Sequence, residues 1–368
     1  MKILLISNLY PSRTFPNYGT FVKNFCDQLD QLNISYKKVV LKKKKSRYMN
    51  FLAYIIYFIK VFFYSLFENY DFVYVHYISH NALILRIIFF FKRITIFVNV
   101  HGSDVIPQTK VQFKMQKNIK KILIISKRVI VPSEYFRKIV CQKYKIKNEK
   151  IKVYPSGGVN EKIFYPYSRS EKDNLIEKYI KNNPKEFFYI GYVSRIDPGK
   201  GWKTFLEALN LLNNRELLDD KEIVMVGDGN EYDSLVSKIH EYHLNSKILL
   251  IKSLEQKELA KIYNMLDIFC FPTEREGESL GLVALEAMSC GVPVIASNYA
   301  APNEYISDYY NGFKFKKGNV KDLAEKIDIY FKLTDKDKNR IRDNALKTAE
   351  EFHASKMINM LENILVSD

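Results

Sequence analysis

Two carboxylates with seven residues between them, Glu278 and Glu286, carry the clearest chemistry in this 368-residue sequence. They lie in PTEREGESLGLVALEAMSCGVPVIAS, from Pro272 to Ser297. The segment LVALEAMSC is rich in helix formers and stops at Gly291, a natural C′ residue, so the pattern predicts a helix starting near Gly281. Glu278 then lies on the preceding loop, and Glu286 just over one turn inside the helix. A helix N-terminus presents unpaired N–H groups and positive dipole, which makes the backbone of Ser279, Leu280, Gly281 and Leu282 an anion cradle. Gly281, lacking a Cβ, lets a ligand approach the main chain closely. Carboxylates on both sides of an anion cradle suit a ligand with phosphate in the middle and hydroxyls at both ends. A nucleotide sugar has that layout. The competing reading, an amphipathic helix with two solvated glutamates, is weakened by Leu282, Val283, Leu285, Ala287 and Met288 around Glu286, since a buried carboxylate without a partner is costly.

Cations for the phosphate follow the strand-like run FFYIGYV at 187–193. Arg195 and Lys200 are separated by Ile-Asp-Pro-Gly, a turn that can aim both at one point. Breaking a sugar–diphosphate bond leaves growing negative charge on the diphosphate, and positioned cations stabilise it. His101 stands at the end of another strand-like run, in NVHGSD, beside Gly102, Ser103 and Asp104. Gly19 and Thr20 open the helix-like TFVKNFCDQLDQL after the loop PSRTFPNYGT; Gly19 either brings amides to a phosphate or only turns the chain. Gly227-Asp228-Gly229 lacks the rest of a G-x-G-x-x-G, which argues against a dinucleotide oxidoreductase.

These stretches resemble the retaining glycosyltransferases of family 4. EGESLGLVALEA is similar to the E-x7-E signature of that family, with Leu280 where Phe is usual. SRIDPGKG resembles its G-R-x4-K-G diphosphate clamp, with Ser194 replacing the first glycine, and HGSD resembles the motif whose histidine contacts the donor sugar. YPSGGVN at 154–160 resembles the family's P-x-G-V-D turn, with Asn160 where Asp is common. The resemblance implies an α/β protein of the GT-B fold, two Rossmann-like doubly wound parallel-sheet domains facing across a cleft. It implies that Glu278 binds hydroxyls of the donor sugar, Glu286 the ribose hydroxyls, and the amides between them the diphosphate, with Gly19, Arg195 and Lys200 also on the donor. His101, Glu278, Arg195 and Lys200 would form the catalytic set, and Thr20, His101 and Asp104 would face the acceptor. It further implies that no metal and no cofactor is needed beyond the nucleotide-sugar co-substrate, with a leaving-phosphate oxygen deprotonating the acceptor.

The elements that must position these residues alternate along the chain. Strand-like runs at 2–8, 36–41, 71–76, 94–100, 128–132 and 151–155 are followed by a second series at 187–193, 222–227, 247–251, 267–272 and 292–297. Such alternation predicts parallel sheets, with ligands at the carboxyl ends of the strands. The expected domains are 1–184, for the acceptor, and 185–350, for the nucleotide sugar. They are joined by the polar segment around 166–185, which includes Asn182-Asn183-Pro184, and residues 351–368 form a C-terminal helix returning to the first domain.

Composition sets the remaining bounds. The net charge is +16, but residues 1–184 hold 33 Lys and Arg against 11 Asp and Glu, or +22, and residues 185–368 hold 24 against 30, or −6. A first domain this basic meets something acidic. Lys42-Lys43-Lys44-Lys45-Ser46-Arg47 precedes FLAYIIYFIKVFFYSLF at 51–67, an apolar run shorter than the roughly 20 residues of a membrane span and broken by Lys60. It reads either as a core crossover helix or as a helix docking on an anionic membrane. The start MKILLISNLY reads as a buried strand without a cleavable signal, which implies a cytoplasmic protein peripheral to the inner face of the membrane. Cys26, Cys141, Cys270 and Cys290 are widely spaced and read as reduced core thiols with no zinc site. Taken with the charge, the resemblance implies a retaining, metal-independent glycosyltransferase of bacterial surface polysaccharide assembly, moving a sugar from a UDP-sugar, ahead of a GDP-sugar, to a saccharide or lipid-linked saccharide. The alternatives are a sugar-nucleotide epimerase or hydrolase of the same fold, and a basic scaffold binding nucleic acid or membrane. No recognised nucleic-acid module is present, so no nucleic-acid partner is expected.

Overall fold

The computed structural model describes residues 1–15, 18–179 and 187–366. The chain divides into two units, one made of Met1–Gly157 and the chain from Met357 on, the other of Gly158–Lys356.

The first unit runs β1 (Lys2–Ser7), α1 (Thr20–Gln31), β2 (Ser35–Val40), α2 (Arg47–Phe67), β3 (Phe72–His76), α3 (Ala82–Phe91), β4 (Ile96–Asn99), α4 (Lys110–Ile125), β5 (Arg128–Val131), α5 (Glu134–Tyr144) and β6 (Ile151–Val153). Its six strands form one parallel sheet in the order β2-β1-β3-β4-β5-β6. Strands such as FVYVH and RVIV are buried along their whole length, as expected of parallel strands covered on both faces. One face packs under α2 to α5 around Leu4, Val75, Leu85 and Leu123; the other packs under α1 around Leu5, Phe25 and Tyr74.

The second unit runs α6 (Arg169–Tyr179), β7 (Phe188–Val193), α7 (Trp202–Asn213), β8 (Lys221–Val226), α8 (Tyr232–Glu241), β9 (Ile248–Ile251), α9 (Gln256–Met265), β10 (Ile268–Phe271), α10 (Leu282–Ser289), β11 (Val294–Ser297), α11 (Pro302–Tyr305), β12 (Gly312–Phe315), α12 (Val320–Lys332) and α13 (Asp335–Glu350). Its sheet is also parallel, in the order β12-β11-β10-β7-β8-β9. Both sheets are doubly wound. The order reverses beside β1 in the first and beside β7 in the second, and in open α/β sheets the crevice at such a reversal takes the ligand.

The structure moves the expected domain boundary. It falls at Gly157-Gly158, inside the YPSGGVN turn, not near residue 184. The cause is α6, whose Leu175, Ile176 and Tyr179 pack into the core of the second unit. The expected linker through Asn182-Asn183-Pro184 lies outside the described residues. The last helix, α14 (Ala354–Val366), belongs to the first unit from Met357 on, where Met357, Leu361, Ile364 and Leu365 join the α1-side core. Drawn at the observed boundary, the first unit holds 28 Lys and Arg against 9 Asp and Glu, or +19, and the second 29 against 32, or −3. All four cysteines are free, and all but half-buried Cys141 are buried.

Candidate active site

At the order reversal of the second sheet, the loops after β7 and β10 meet. Lys200 Nζ lies 2.7 Å from Glu278 Oε2, with both side chains nearly buried. Thr273 donates its hydroxyl to the same carboxylate oxygen at 3.1 Å. Glu278 Oε1 accepts no hydrogen bond among the described residues, so the carboxylate is half committed to the protein and half open to a ligand. The turn bringing Lys200 here closes through Lys200 N–H on the Asp197 carbonyl at 3.2 Å, and Tyr192 donates its hydroxyl to the Lys200 carbonyl at 3.1 Å. Gly201, at φ 76°, is forced: a Cβ there would stand 1.7 Å from the Pro272 carbonyl oxygen. This close approach seats the β7 loop on the β10 loop.

The helix expected from the sequence is α10, beginning at Leu282 with Gly281 as its left-handed N-cap, φ 80°. Gly281 does not serve the purpose expected of it. The space freed by its missing Cβ is taken by Phe271 and Tyr305, 2.8 and 3.0 Å from where that atom would be, so the glycine is required by φ and packing, not by a ligand. Leu280 is buried, and its carbonyl accepts the Tyr305 hydroxyl at 3.0 Å. Ser279 and Leu282 are half-buried. The free N–H groups of the first turn are what this end of α10 offers an anion.

Glu286 lies on α10 and is 8% exposed. Burial pushes its carboxyl up to about 7, against a weaker opposing pull from the Tyr263 hydroxyl at 3.4 Å. A carboxylate so poised gains from a ligand that brings two hydroxyl donors.

Arg195 and Lys200, the expected clamp, rest on different carboxylates: the Arg195 guanidinium is 2.8 Å from Asp197 Oδ2 with its side chain 67% exposed, whereas Lys200 turns inward to Glu278. Asp197 separates them: its other oxygen accepts the Asn230 backbone and side-chain N–H groups, both at 3.1 Å. The glycines of Gly227-Asp228-Gly229 have a packing role, since Cβ atoms at Gly227 and Gly229 would stand 1.9 Å from the Ser194 carbonyl oxygen and 2.4 Å from that of Ile196. That loop braces the Arg195–Lys200 turn from behind.

In the first unit, His101 follows β4 and its Nε2 lies 2.9 Å from Nδ1 of His76, the last residue of β3. Burial lowers both imidazoles, His76 well below its ordinary value and His101 to about 3, so the pair is neutral. Asp104 cannot face an acceptor as expected. It is fully buried, and its carboxylate accepts backbone N–H groups of His101, Gly102 and Val105 at 2.8 to 3.1 Å, holding the HGSD turn. Burial raises its carboxyl to about 6 against those hydrogen bonds. Thr20 is exposed at the first position of α1. Gly19 sits at φ 80° with its missing Cβ 2.6 Å from the Leu9 carbonyl carbon, so close backbone packing after β1 explains it.

Comparison with known proteins bears on these two sets of residues together. The family description "Glycosyltransferase Family 4" matches residues 20–158, and "Glycosyl transferases group 1" matches residues 173–348. This chain belongs to the family 4, group 1 glycosyltransferases. Among curated relatives of this family member, N,N'-diacetylbacillosaminyl-diphospho-undecaprenol alpha-1,3-N-acetylgalactosaminyltransferase of Campylobacter jejuni is 30% identical over 60% of this chain. The capsular polysaccharide biosynthesis glycosyltransferase CapM of Staphylococcus aureus is 28% identical over 62%. The alignments span 56% and 58% of those relatives' own lengths. The GT-B fold is shared with Anabaena HepE, solved in complex with UDP, at TM-score 0.78 and 19% identity over the whole of both chains. It is shared also with sucrose-phosphate synthase of Thermosynechococcus elongatus, at 0.80 and 17% over 99% of this chain and 98% of that one.

Three residues of this family member carry roles that the sequence alone does not show. His76 ends the run DFVYVH as His101 follows NV, so two histidines close consecutive strands; that coincidence was the available signal. Thr273 and Asp197, each touching a residue already singled out, carry no spacing signal that separates them from ordinary turn residues.

Proposed function

We propose that this chain transfers a sugar from a UDP-sugar to a lipid-linked saccharide, with retention of configuration and without a metal, in the assembly of a bacterial surface polysaccharide. The observation that carries the reading is the Lys200–Glu278 pair at the sheet's order reversal, with Glu278 on the loop that leads to the N-terminal amides of α10 and near-neutral Glu286 within that helix. The diphosphate would lie on those amides with Lys200 compensating its growing charge, the free oxygen of Glu278 would accept donor-sugar hydroxyls, and Glu286 would accept the ribose hydroxyls. The bond from the anomeric carbon to the diphosphate breaks, the bond to the acceptor oxygen forms on the same face, and the acceptor's proton passes to the departing phosphate oxygen. The choice of UDP is supported by HepE, solved with that nucleotide, and that of a lipid-linked acceptor by the undecaprenol-linked substrate in the name of the Campylobacter relative.

Contact with the cytoplasmic face of an anionic membrane belongs to the same reading, supported by α2. This helix crosses over between β2 and β3, yet only Tyr57, Val61 and Ser65 of its 21 residues are buried. Phe51, Ile55, Ile59, Phe63 and Phe67, four residues apart, form an outward stripe 41 to 69% exposed. Leu83, Ile87, Phe90 and Phe91 of α3 continue it, with Phe62 against Phe91. Contiguous apolar surface of this kind marks an interaction site. The exposed Lys42–Lys45 cluster before α2 and the +19 charge of the unit favour an anionic bilayer as its occupant.

Calorimetric titration with UDP, GDP and ADP, in EDTA and then with magnesium, tests the donor side. Saturable UDP binding in EDTA is expected. Binding of none of the three nucleotides under either condition would overturn it.

A further inference from the structure

We infer that His76 is a positioning residue that fixes the tautomer of His101, so that His101 presents Nδ1–H, and not a bare Nδ1, to the substrate. The inference rests on the reading that His101 faces the donor sugar, and it adds which ring nitrogen acts and what holds it.

The geometry leaves two arrangements. With one proton per neutral ring, the 2.9 Å bond is made either by His76 Nδ1–H donating to His101 Nε2 or by His101 Nε2–H donating to His76 Nδ1. In the second, the remaining proton of His76 would sit on Nε2, a buried atom with no hydrogen-bond partner among the described residues. An orphaned buried N–H is costlier and rarer than an orphaned lone pair. The first arrangement is therefore favoured, and it places the proton of His101 on Nδ1, the ring nitrogen that has no partner among the described residues.

His76 itself cannot reach substrate. It is 1% exposed, and the cavity it lines with Phe21, Phe25, Gln28, His101 and Tyr154 has a volume of about 10 Å³, the lower limit for a single water and far too small for a sugar. Its ring is clamped edge-on by Phe25 at 4.6 Å between centroids, while Phe21 covers the His101 ring at 4.2 Å. The two aromatic rings come from one face of α1, and paired β3 and β4 set the spacing of the two histidines. Every part of the arrangement holds the imidazoles in place, and none opens His76 to the ligand. A second protonation would set N–H against N–H across the pair, which burial also opposes.

The test is ¹⁵N-histidine NMR on the full chain, whose six histidines can be assigned by single substitution. Wild-type His101 is expected to show a protonated Nδ1 and an unprotonated Nε2. His76→Phe should move the proton to Nε2, and His76→Gln, which keeps a donor, should leave it on Nδ1. In transfer assays His76→Phe should lower kcat by about 10²- to 10³-fold, the range for a lost transition-state donor, with little change in KM for the donor and recovery in His76→Gln. A wild-type His101 protonated at Nε2 overturns the inference, as does wild-type kcat in a His76→Phe protein whose tautomer has switched. Lack of transfer by the wild-type chain would count against the functional reading alone, because the NMR measurement requires no turnover.

Discussion

Beyond β7 and β10 the second unit presents an ammonium and a carboxylate 2.7 Å apart, whereas beyond β3 and β4 the first presents two imidazoles 2.9 Å apart that burial holds neutral. The same fold thus sets an ion pair at one set of strand ends and a neutral imidazole pair at the other. On the proposed reading the contrast matches two chemical tasks. A departing diphosphate needs a cation that is already in place, while a sugar hydroxyl needs a directed donor that does not attract the phosphate to itself. The peripheries differ in the opposite sense: the first unit carries +19 and an exposed apolar face, the second −3. On the reading proposed above, charge in the first unit serves a surface, and in the second a site.

The sharpest way to break this contrast is to remove the charge where it is said to act. Glu278→Ala should lower transfer by about 10²- to 10³-fold, the scale of a lost transition-state contact, while UDP still binds. Lys200→Ala should do the same, and the double variant should cost little more than either, since the two groups act as one. Initial rates with titration calorimetry check this. If Glu278→Ala abolished nucleotide binding instead, the sugar-side assignment would be wrong. Breaking a nearly buried pair is also destabilising by up to about 3–5 kcal/mol, so thermal melts must accompany the kinetics.

A smaller effect is expected at Glu286, and here pH separates binding from stability. Its carboxyl titrates at about 7 in the folded chain against about 4.3 for an unperturbed glutamate. Ribose hydroxyls donate to the ionised form, so UDP affinity should rise by about tenfold from pH 6 to pH 8, and the dependence should vanish in Glu286→Gln. Stability runs the other way. Between these two values the folded state holds a proton the unfolded state has lost, so stability falls as pH rises from about 4.3 to 7, by about 4 kcal/mol in all. Glu286→Gln should therefore bind UDP poorly yet melt higher than wild type at pH 8, with little difference at pH 4. A variant that melts no higher at pH 8 would show that the carboxyl is not strained.

Much of this was legible in the sequence, and the failures have physical causes. The strands ILL of β1 and VIA of β11 read as strands because a parallel strand covered on both faces is a continuous apolar run. GFKF of β12 did not: it is an edge strand of four residues, with Lys314 half-buried and a glycine whose missing Cβ would lie 2.0 Å from the Val294 carbonyl oxygen. In sequence that glycine resembles a turn. Glu278 and Lys200 were both named, but their contact spans 78 residues, and only the strand order makes them neighbours. Arg195 was named with Lys200 because spacing alone cannot show that Asp197, between them, would take the guanidinium. Gly281 reads in sequence as a ligand approach, whereas protein atoms fill that space. A glycine in a sequence shows that room is needed, not what occupies it.

The smallest effects are expected at the surface, where the contrast between the units can be sharpened. Lys43 and Lys44 are exposed beside the N-terminus of α2, whose first turn Ser46 caps, and Ile59 and Phe63 lie on its outward stripe. Each lysine near an anionic bilayer contributes about 1 kcal/mol, or about fivefold in binding. Lys43→Gln with Lys44→Gln should therefore weaken sedimentation with phosphatidylglycerol vesicles at low salt and have little effect at high salt, where Debye screening already removes the contribution. Ile59→Ser with Phe63→Ser should weaken it at both, because apolar insertion is not screened. Both double variants change only exposed positions, so melts should stay within about 1 kcal/mol of wild type, at about ±0.5 per site. If neither pair altered vesicle binding, the apolar face of α2 would have to be covered by protein. A shift to dimer on size exclusion, reversed by Phe63→Ser, would identify a second copy of this chain as the cover.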